Sequence, residues 1–312
     1  MRYIRILVLG LFILTSVSYA GLKIYTEKTT DRTAPVLQCS SDILTISVNS
    51  TETQLLQGIT AEDDRDGDLS DEVVVEKIGP FLSDGTREIS YAVCDNANNT
   101  GRVQRKIRYS DYEPPKFELK QPLRFESGKK INISEYLTVS DVLDGNLSSH
   151  IRQTYGDSFT YQNMAGTYEI GCQAANSAGD VSQIDLLVEI IDAKDTASIP
   201  AVDMDQYVIY LKKGEDFNPA DYADSVTIGS RSFDIGNRNQ KPAANSRKIK
   251  GLFGDLTNRT SSDDLIDTID YNNIFVECSV DPSVPGSYLV QYHITTQDGY
   301  TGTTGLSVIV CE

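Results

Sequence analysis

Carboxylates supply the clearest chemical pattern in this 312-residue chain. Asp63, Asp64, Asp66 and Asp68 fall in one short stretch, and Asp95 lies further along. Asp141 and Asp144 repeat the spacing of Asp63 and Asp66. Hard oxygen ligands at alternate positions suit calcium, so Asp63, Asp66, Asp68, Asp95, Asp141 and Asp144 are the candidate metal ligands. A second reading needs no ion. Loop Asp side chains accept hydrogen bonds from backbone N–H groups and tolerate turn geometry. Both readings stand at the level of sequence, and calcium is the one cofactor they raise.

Other chemistries are poorly supplied. The two histidines, His150 and His293, fall in different parts of the chain, so no nucleophile–base–orienter set assembles around either. Both are expected on the surface. Paired carboxylates can cleave glycosides, but these acids recur at matching positions, which points to a role in each structural unit. The chain therefore reads as non-enzymatic. Its five cysteines, Cys39, Cys94, Cys172, Cys278 and Cys311, form no CxxC pair, and a structural zinc site is excluded on that spacing. Two disulfides are candidates: Cys278–Cys311 on late strands, and Cys39–Cys94 clipping an early strand to a later one. An odd count leaves at least one thiol unbridged.

The elements that must position these residues come from an internal repeat. Gly58–Val73 (GITAEDDRDGDLSDEV) aligns without gaps on Tyr136–Ile151 (YLTVSDVLDGNLSSHI). Ile89-x-Tyr91-x-Val93-x-Asp95 aligns on Ile170-x-Cys172-x-Ala174-x-Asn176. A third, divergent copy keeps Gly254–Thr257 (GDLT) and the alternation Tyr288-x-Val290-x-Tyr292-x-Ile294. Period-two alternation marks strands with one buried face, and short strands punctuated by Gly, Asn and Asp suggest β-sandwiches. The register turns Ile89, Tyr91 and Val93 inward and Cys94 outward. Cys172 matches Tyr91, and Leu119 stands where Cys39 does, so Cys172 is expected to be a buried free thiol. The fold class is thus all-β, three tandem sandwiches at 32–110, 111–193 and 199–312. A polar insertion at about 228–253 is expected to form a long loop.

At GITAEDDRDGDLS with ISYAVCDNANN, and at LTVSDVLDGNLSS with YEIGCQAANSAGD, the chain resembles the bacterial immunoglobulin-like domains of Gram-positive surface proteins. The resemblance covers nearly everything after residue 30, and is thinnest in the third copy. It implies an extracellular structural or adhesive module. In that topology the loops after the second and sixth strands share a pole, so Asp63 and Asp66 would approach Asp95, and Asp141 and Asp144 would approach Asn176. Asp31 and Asp111, in the lead-ins to the first and second copies, would reach the same poles.

Residues 1–25 differ from the rest. Arg2 and Arg5 precede an apolar run from Ile6 to Leu14, and no charge appears from Ile6 to Leu22. This fits both a cleaved secretory signal, with small residues at Ser18 and Ala20, and an uncleaved anchor helix over about 6–22. Either places the remainder outside the cytoplasm, secreted or held at the membrane. A net charge of −17 argues against nucleic acid as partner. The expected partner is an unknown surface ligand or envelope component. A carbohydrate or cell-wall-polymer binder is the alternative; the chain has 17 Tyr but no Trp to build sugar platforms.

Overall fold

A computed structural model of the chain describes residues 2–129, 131–155, 164–236 and 268–312. The apolar start forms α1 (Arg2–Thr29), longer than the run from 6 to 22. It is long and apolar enough to cross a membrane, and none of its most apolar window is buried. The chain divides into two compact units between Tyr112 and Glu113, with α1 counted in the first.

The first unit contains β1 (Val36–Cys39), β2 (Ile43–Ile46), the single turn α2 (Glu52–Leu55), β3 (Ile59–Asp63), β4 (Gly67–Asp68), β5 (Val74–Phe81), β6 (Arg87–Cys94) and β7 (Thr100–Tyr109). One sheet has the order β1-β3-β4 and the other β2-β7-β6-β5. Leu37, Ile59 and Ala61 from the first meet Ile46, Ile89, Tyr91 and Ile107 from the second in one buried cluster. That is an immunoglobulin-like sandwich: alternate residues of both sheets fill the space between them. Ile89, Tyr91 and Val93 are buried and Cys94 is exposed, as the alternation requires.

The second unit repeats this plan twice. Its first sandwich uses β8 (Lys116–Leu119), β9 (Leu123–Glu126), β10 (Leu137–Asp141), β11 (Gly145–Asn146), β12 (Arg152–Tyr155), β13 (Gly166–Ala175) and β14 (Val181–Ile191). The next uses β15 (Ala201–Asp203), β16 (Val208–Lys212), β17 (Ser225–Ile228), β18 (Arg231–Gly236), β19 (Thr268–Asp270), β20 (Ile274–Glu277), β21 (Gly286–Thr295) and β22 (Thr301–Cys311). The sheet orders are β11-β10-β8 with β12-β13-β14-β9, and β15-β17-β18-β19 with β16-β22-β21-β20. In all three sandwiches an early strand adds parallel to the last one: β2 on β7, β9 on β14 and β16 on β22.

Residues from about 228 are not all loop. Phe233 and Ile235 alternate inward along β18, which forms a hairpin with β17. Two apolar residues at period two outweigh the polar composition around them. The rest of that insertion, with Gly254–Thr257, lies outside the described residues.

Tyr91 and Tyr292 occupy matching positions. Each donates its hydroxyl to a backbone carbonyl across the sandwich, Tyr91 to Leu55 at 2.7 Å and Tyr292 to Pro219 at 2.8 Å. Cys172 holds that position in the middle sandwich, buried and free. Burial pushes its thiol up to about 11. Without a phenol ring, a pocket of about 220 Å³ remains between Cys172, Ile170 and Ile131–Ser134.

The two sandwiches of the second unit share one contiguous core. From Leu186 to Ile191, β14 is buried at every residue, so both of its faces are covered. One neighbour is β22, where a Cβ on Gly305 would run into the Leu187 side chain. Arg124 ties the junction. Its guanidinium meets buried Glu189 at 2.5 Å and donates to the carbonyls of Pro200 at 2.5 Å and Ile199 at 3.4 Å. Glu189 also accepts from the Thr303 N–H at 2.7 Å. Burial raises the Glu189 pKa, and Arg124 opposes that shift. The Ser307 hydroxyl donates to the Asp185 carbonyl, and the Asp185 N–H donates to Ser287.

His293, expected on the surface, is half-buried: the outer face of β21 lies near β14, and its Nδ1 is 3.1 Å from Thr303 Oγ1. Burial lowers its pKa. His150 is exposed. Because Glu189 loses its counter-charge, Arg124→Ala is expected to destabilise the second unit by about 3–5 kcal/mol. Replacing both partners, with Arg124→Met and Glu189→Leu, recovers much of that loss. Calorimetric melting of the two variants checks this, and a double variant no better than the single one contradicts it.

Candidate functional site

The acidic pole of the first sandwich is built by two loops and a lead-in. Asp63 ends β3 and begins a tight loop closed by Gly67, whose φ of +78° favours glycine. Asp63 Oδ1 accepts the Arg65 and Asp66 N–H groups, both at 2.9 Å. Asp95 follows β6. Its Oδ1 accepts the N–H groups of Ala97 at 2.9 Å and Asn99 at 2.7 Å, and Oδ2 accepts the Asn99 side-chain amide at 2.7 Å. Asp31 precedes β1, accepts the Thr33 N–H at 3.0 Å, and lies 3.5 Å from the Arg65 guanidinium.

Three of these carboxylates converge. One oxygen each from Asp31, Asp63 and Asp95 lie within 4.8 Å of one another. Asp63 is 9% exposed and Asp95 5%, and the Asp31 side chain 8%. The second oxygen of Asp63, Oδ2, is buried with no hydrogen-bond partner.

The other sequence candidates do not join them. Asp66 accepts the Asn96 N–H at 2.9 Å and its side-chain amide at 2.8 Å, bridging the two loops. Those bonds lower its pKa, the side-chain one most. Asp68 accepts the N–H and hydroxyl of Ser70, which lower its pKa in turn. Asp64 is exposed. For Asp66 and Asp68 the amide-capping reading describes what the side chains do.

The middle sandwich repeats the frame with one changed atom. Asp141 Oδ1 accepts the Leu143 and Asp144 N–H groups at 2.8 and 2.9 Å. Asp144 bridges to the Ser177 N–H and hydroxyl, as Asp66 does to Asn96. Asn176 stands where Asp95 stands, and its amide donates to Asp141 Oδ2 at 3.1 Å. The lead-in acid also differs. Asp111 turns back to the first sandwich, accepting the Ser47 hydroxyl at 2.6 Å and the Val48 N–H at 2.8 Å.

Neither expected disulfide forms; all five thiols are free. Along β7, the lead-in to β1 meets Gly101 at Pro35. Cys39 lies four residues past Pro35, and Cys94 pairs with Thr100, one residue to the other side of Gly101. Five residues along a strand is about 16 Å, far beyond the reach of a bridge. Cys278 follows β20, two strands from β22. Its level on β21 is near Val290, which pairs with Leu306 rather than with the end of β22 at Cys311.

No family model and no curated protein matches the chain. Among solved structures, one of CBM51-2 in complex with GlcNAc and INT domains from Clostridium perfringens ZmpB is 17% identical with a TM-score of 0.20, covering 48% of this chain. This chain spans only 26% of that structure. Protocadherin gamma B7 extracellular cadherin domains 1–4 are 12% identical at a TM-score of 0.19, covering 89% of this chain and 76% of their own. A lipoprotein from Bacteroides thetaiotaomicron is 14% identical at 0.18, with 49% and 80% covered. Superpositions this weak carry no argument about activity or ligand.

Asp66→Ala removes the bridge between the two loops and is expected to lower the melting midpoint of the first unit. The Asp66 pKa is lowered in the folded state. Its stabilising effect is therefore present above the ordinary carboxylate range and lost as pH falls through the lowered value. The gap between wild type and variant should narrow on acidification in the same window. A gap that stays constant down to pH 2 contradicts the assignment.

Proposed function

We propose that this chain is a non-enzymatic, extracytoplasmic protein whose immunoglobulin-like sandwiches act as structural or adhesive modules at the cell surface. The observation that carries the reading is α1. An apolar helix with none of its most apolar window buried needs a lipid environment or the export machinery to cover it. The sandwiches behind it carry the chain's acidic balance, and acidic, well-hydrated domains stay soluble in an aqueous compartment. The Arg124–Glu189 junction and the shared core make the second unit a stiff element, which suits a spacer that presents loops away from the membrane.

A specific cluster favours glycan binding as the second reading. Phe81, Tyr109 and Tyr112 group at one end of the first unit, with ring centroids 4.5 to 6.5 Å apart. The Arg87 guanidinium lies over Phe81 and Tyr109. Half-buried rings beside a donor-rich cation can stack on a sugar face.

Fractionation with protease shaving of intact cells tests localisation. The expected result is sandwich digestion from outside, with the chain either in the membrane fraction or secreted with a start at Gly21. Intact, protease-protected chain in the cytosol overturns the proposal. Screening the full chain against wall polysaccharide, matrix proteins and whole cells separates the two readings. Polysaccharide binding that falls at least about tenfold in Tyr109→Ala supports the glycan reading, and binding to matrix protein or cells untouched by that substitution supports adhesion.

A further inference from the structure

The geometry points to a divalent-cation site, suited to calcium, formed by Asp31, Asp63 and Asp95 in the first sandwich. It stands apart from whatever the modules bind. Three carboxylates with oxygens within 4.8 Å of one another repel strongly when desolvated, and all three side chains are nearly buried. Asp63 Oδ2 is buried with no donor, and the equivalent oxygen of Asp141 faces Asn176, the counterpart of Asp95. A buried carboxylate oxygen left without a hydrogen bond is costly, and a cation among the three oxygens removes both costs together.

The chain contains its own control. In the middle sandwich the equivalent Asp141 Oδ2 receives the Asn176 amide at 3.1 Å, and the lead-in Asp111 is engaged elsewhere, by Ser47 and Val48. There an amide donor does what a metal ion would do. In the first sandwich the same position is Asp95, whose oxygens face Asp63 as a second acceptor and cannot donate. In the last sandwich it is Thr296, whose hydroxyl serves its own turn by accepting the Tyr300 N–H at 3.2 Å. The Asp63 and Asp141 turns share one frame, and of these two the first carries three acids at it. The Arg65 guanidinium approaches Asp31 from the rim at 3.5 Å and is 45% exposed, while Asp63 Oδ2 has no hydrogen bond from it or any other group.

Donor hardness and shell flexibility select the ion. The donors are all hard oxygens, which suit calcium or magnesium rather than a thiolate- or imidazole-seeking metal. Calcium accepts irregular shells of carboxylate, carbonyl and water oxygens, whereas magnesium demands near-ideal octahedral geometry at about 2.0–2.1 Å and gives up its waters reluctantly, so a cage of three loop and lead-in carboxylates favours calcium. Water and loop carbonyls would complete the shell. Asp31 lies two residues beyond the end of α1, so the ion clamps the membrane-proximal segment onto the sandwich. Its loading would stiffen that joint.

The full chain in detergent micelles, titrated with calcium chloride or held in EDTA, tests this by isothermal and scanning calorimetry. Calcium is expected to raise the midpoint of the first unit, in the manner of any ligand selective for the folded state. It should also slow tryptic cleavage after exposed Arg32. Asp31→Asn should weaken calcium binding by about tenfold or more. Asp95→Asn reproduces the Asp141–Asn176 pair, so it should melt no lower than wild type in EDTA and show no calcium response. Identical wild-type midpoints in calcium and EDTA, with no binding heat, overturn the site. So does a full calcium response in Asp95→Asn, and an equal shift with magnesium overturns the choice of ion. Localisation or ligand screening can fail without touching any of these readouts.

Discussion

A sandwich is closed at its pole by loops whose backbone N–H groups need acceptors, and in the first two sandwiches the aspartate that ends β3 or β10 meets two of them. Asp63 and Asp141 each give Oδ1 to two loop N–H groups. That bond sets the turn, places Gly67 or Gly145 where φ is positive, and starts the short return strand that Ser70 or Ser148 then secures to the neighbouring strand. The constraint has a second consequence. Fixing Oδ1 to the loop leaves Oδ2 buried, and something must meet it. An amide does so in the middle sandwich. In the first, the carboxylates of Asp31 and Asp95 converge on Asp63 instead.

The second unit depends on a different solution. A sandwich ordinarily leaves the outer face of each sheet in water. Here β14 and β22 are covered on both sides, and the outer faces of two sandwiches become one joint. The joint tolerates a buried Glu189 because Arg124 and the Thr303 N–H meet it. It tolerates close backbone approach because Gly305 has no side chain to collide with Leu187.

Much of the frame was legible in the residues. The gapless alignment of Gly58–Val73 on Tyr136–Ile151, with alternation at Ile89, Tyr91 and Val93, determined the strands, their inward faces and the buried thiol of Cys172, because side-chain direction in a strand follows from parity alone. The immunoglobulin-like topology that the resemblance implied placed Asp63 and Asp95 at one pole. The misreadings have equally plain causes. Cysteine spacing says nothing of how far along a neighbouring strand each thiol lands, so Cys39–Cys94 and Cys278–Cys311 looked feasible and are not. Polar composition hid β18, whose two inward residues, Phe233 and Ile235, are a short signal in a long polar stretch.

What the sequence determined by itself is therefore local and periodic: the apolar helix, the alternating strands, and the Asp turns that recur at fixed distances within each unit. What only the tertiary structure decided is how atoms distant in sequence meet. Asp66 and Asp63 look alike in the chain, three residues apart, yet Asp66 caps Asn96 while Asp63 meets Asp31 and Asp95 and keeps one buried oxygen without a donor. Likewise Leu186–Ile191 reads as one more strand, and the covering of both its faces emerges only when β22 packs on it. Periodicity fixes which way a side chain points within its own strand; which partner it meets there depends on loops and neighbouring sandwiches that no local pattern encodes.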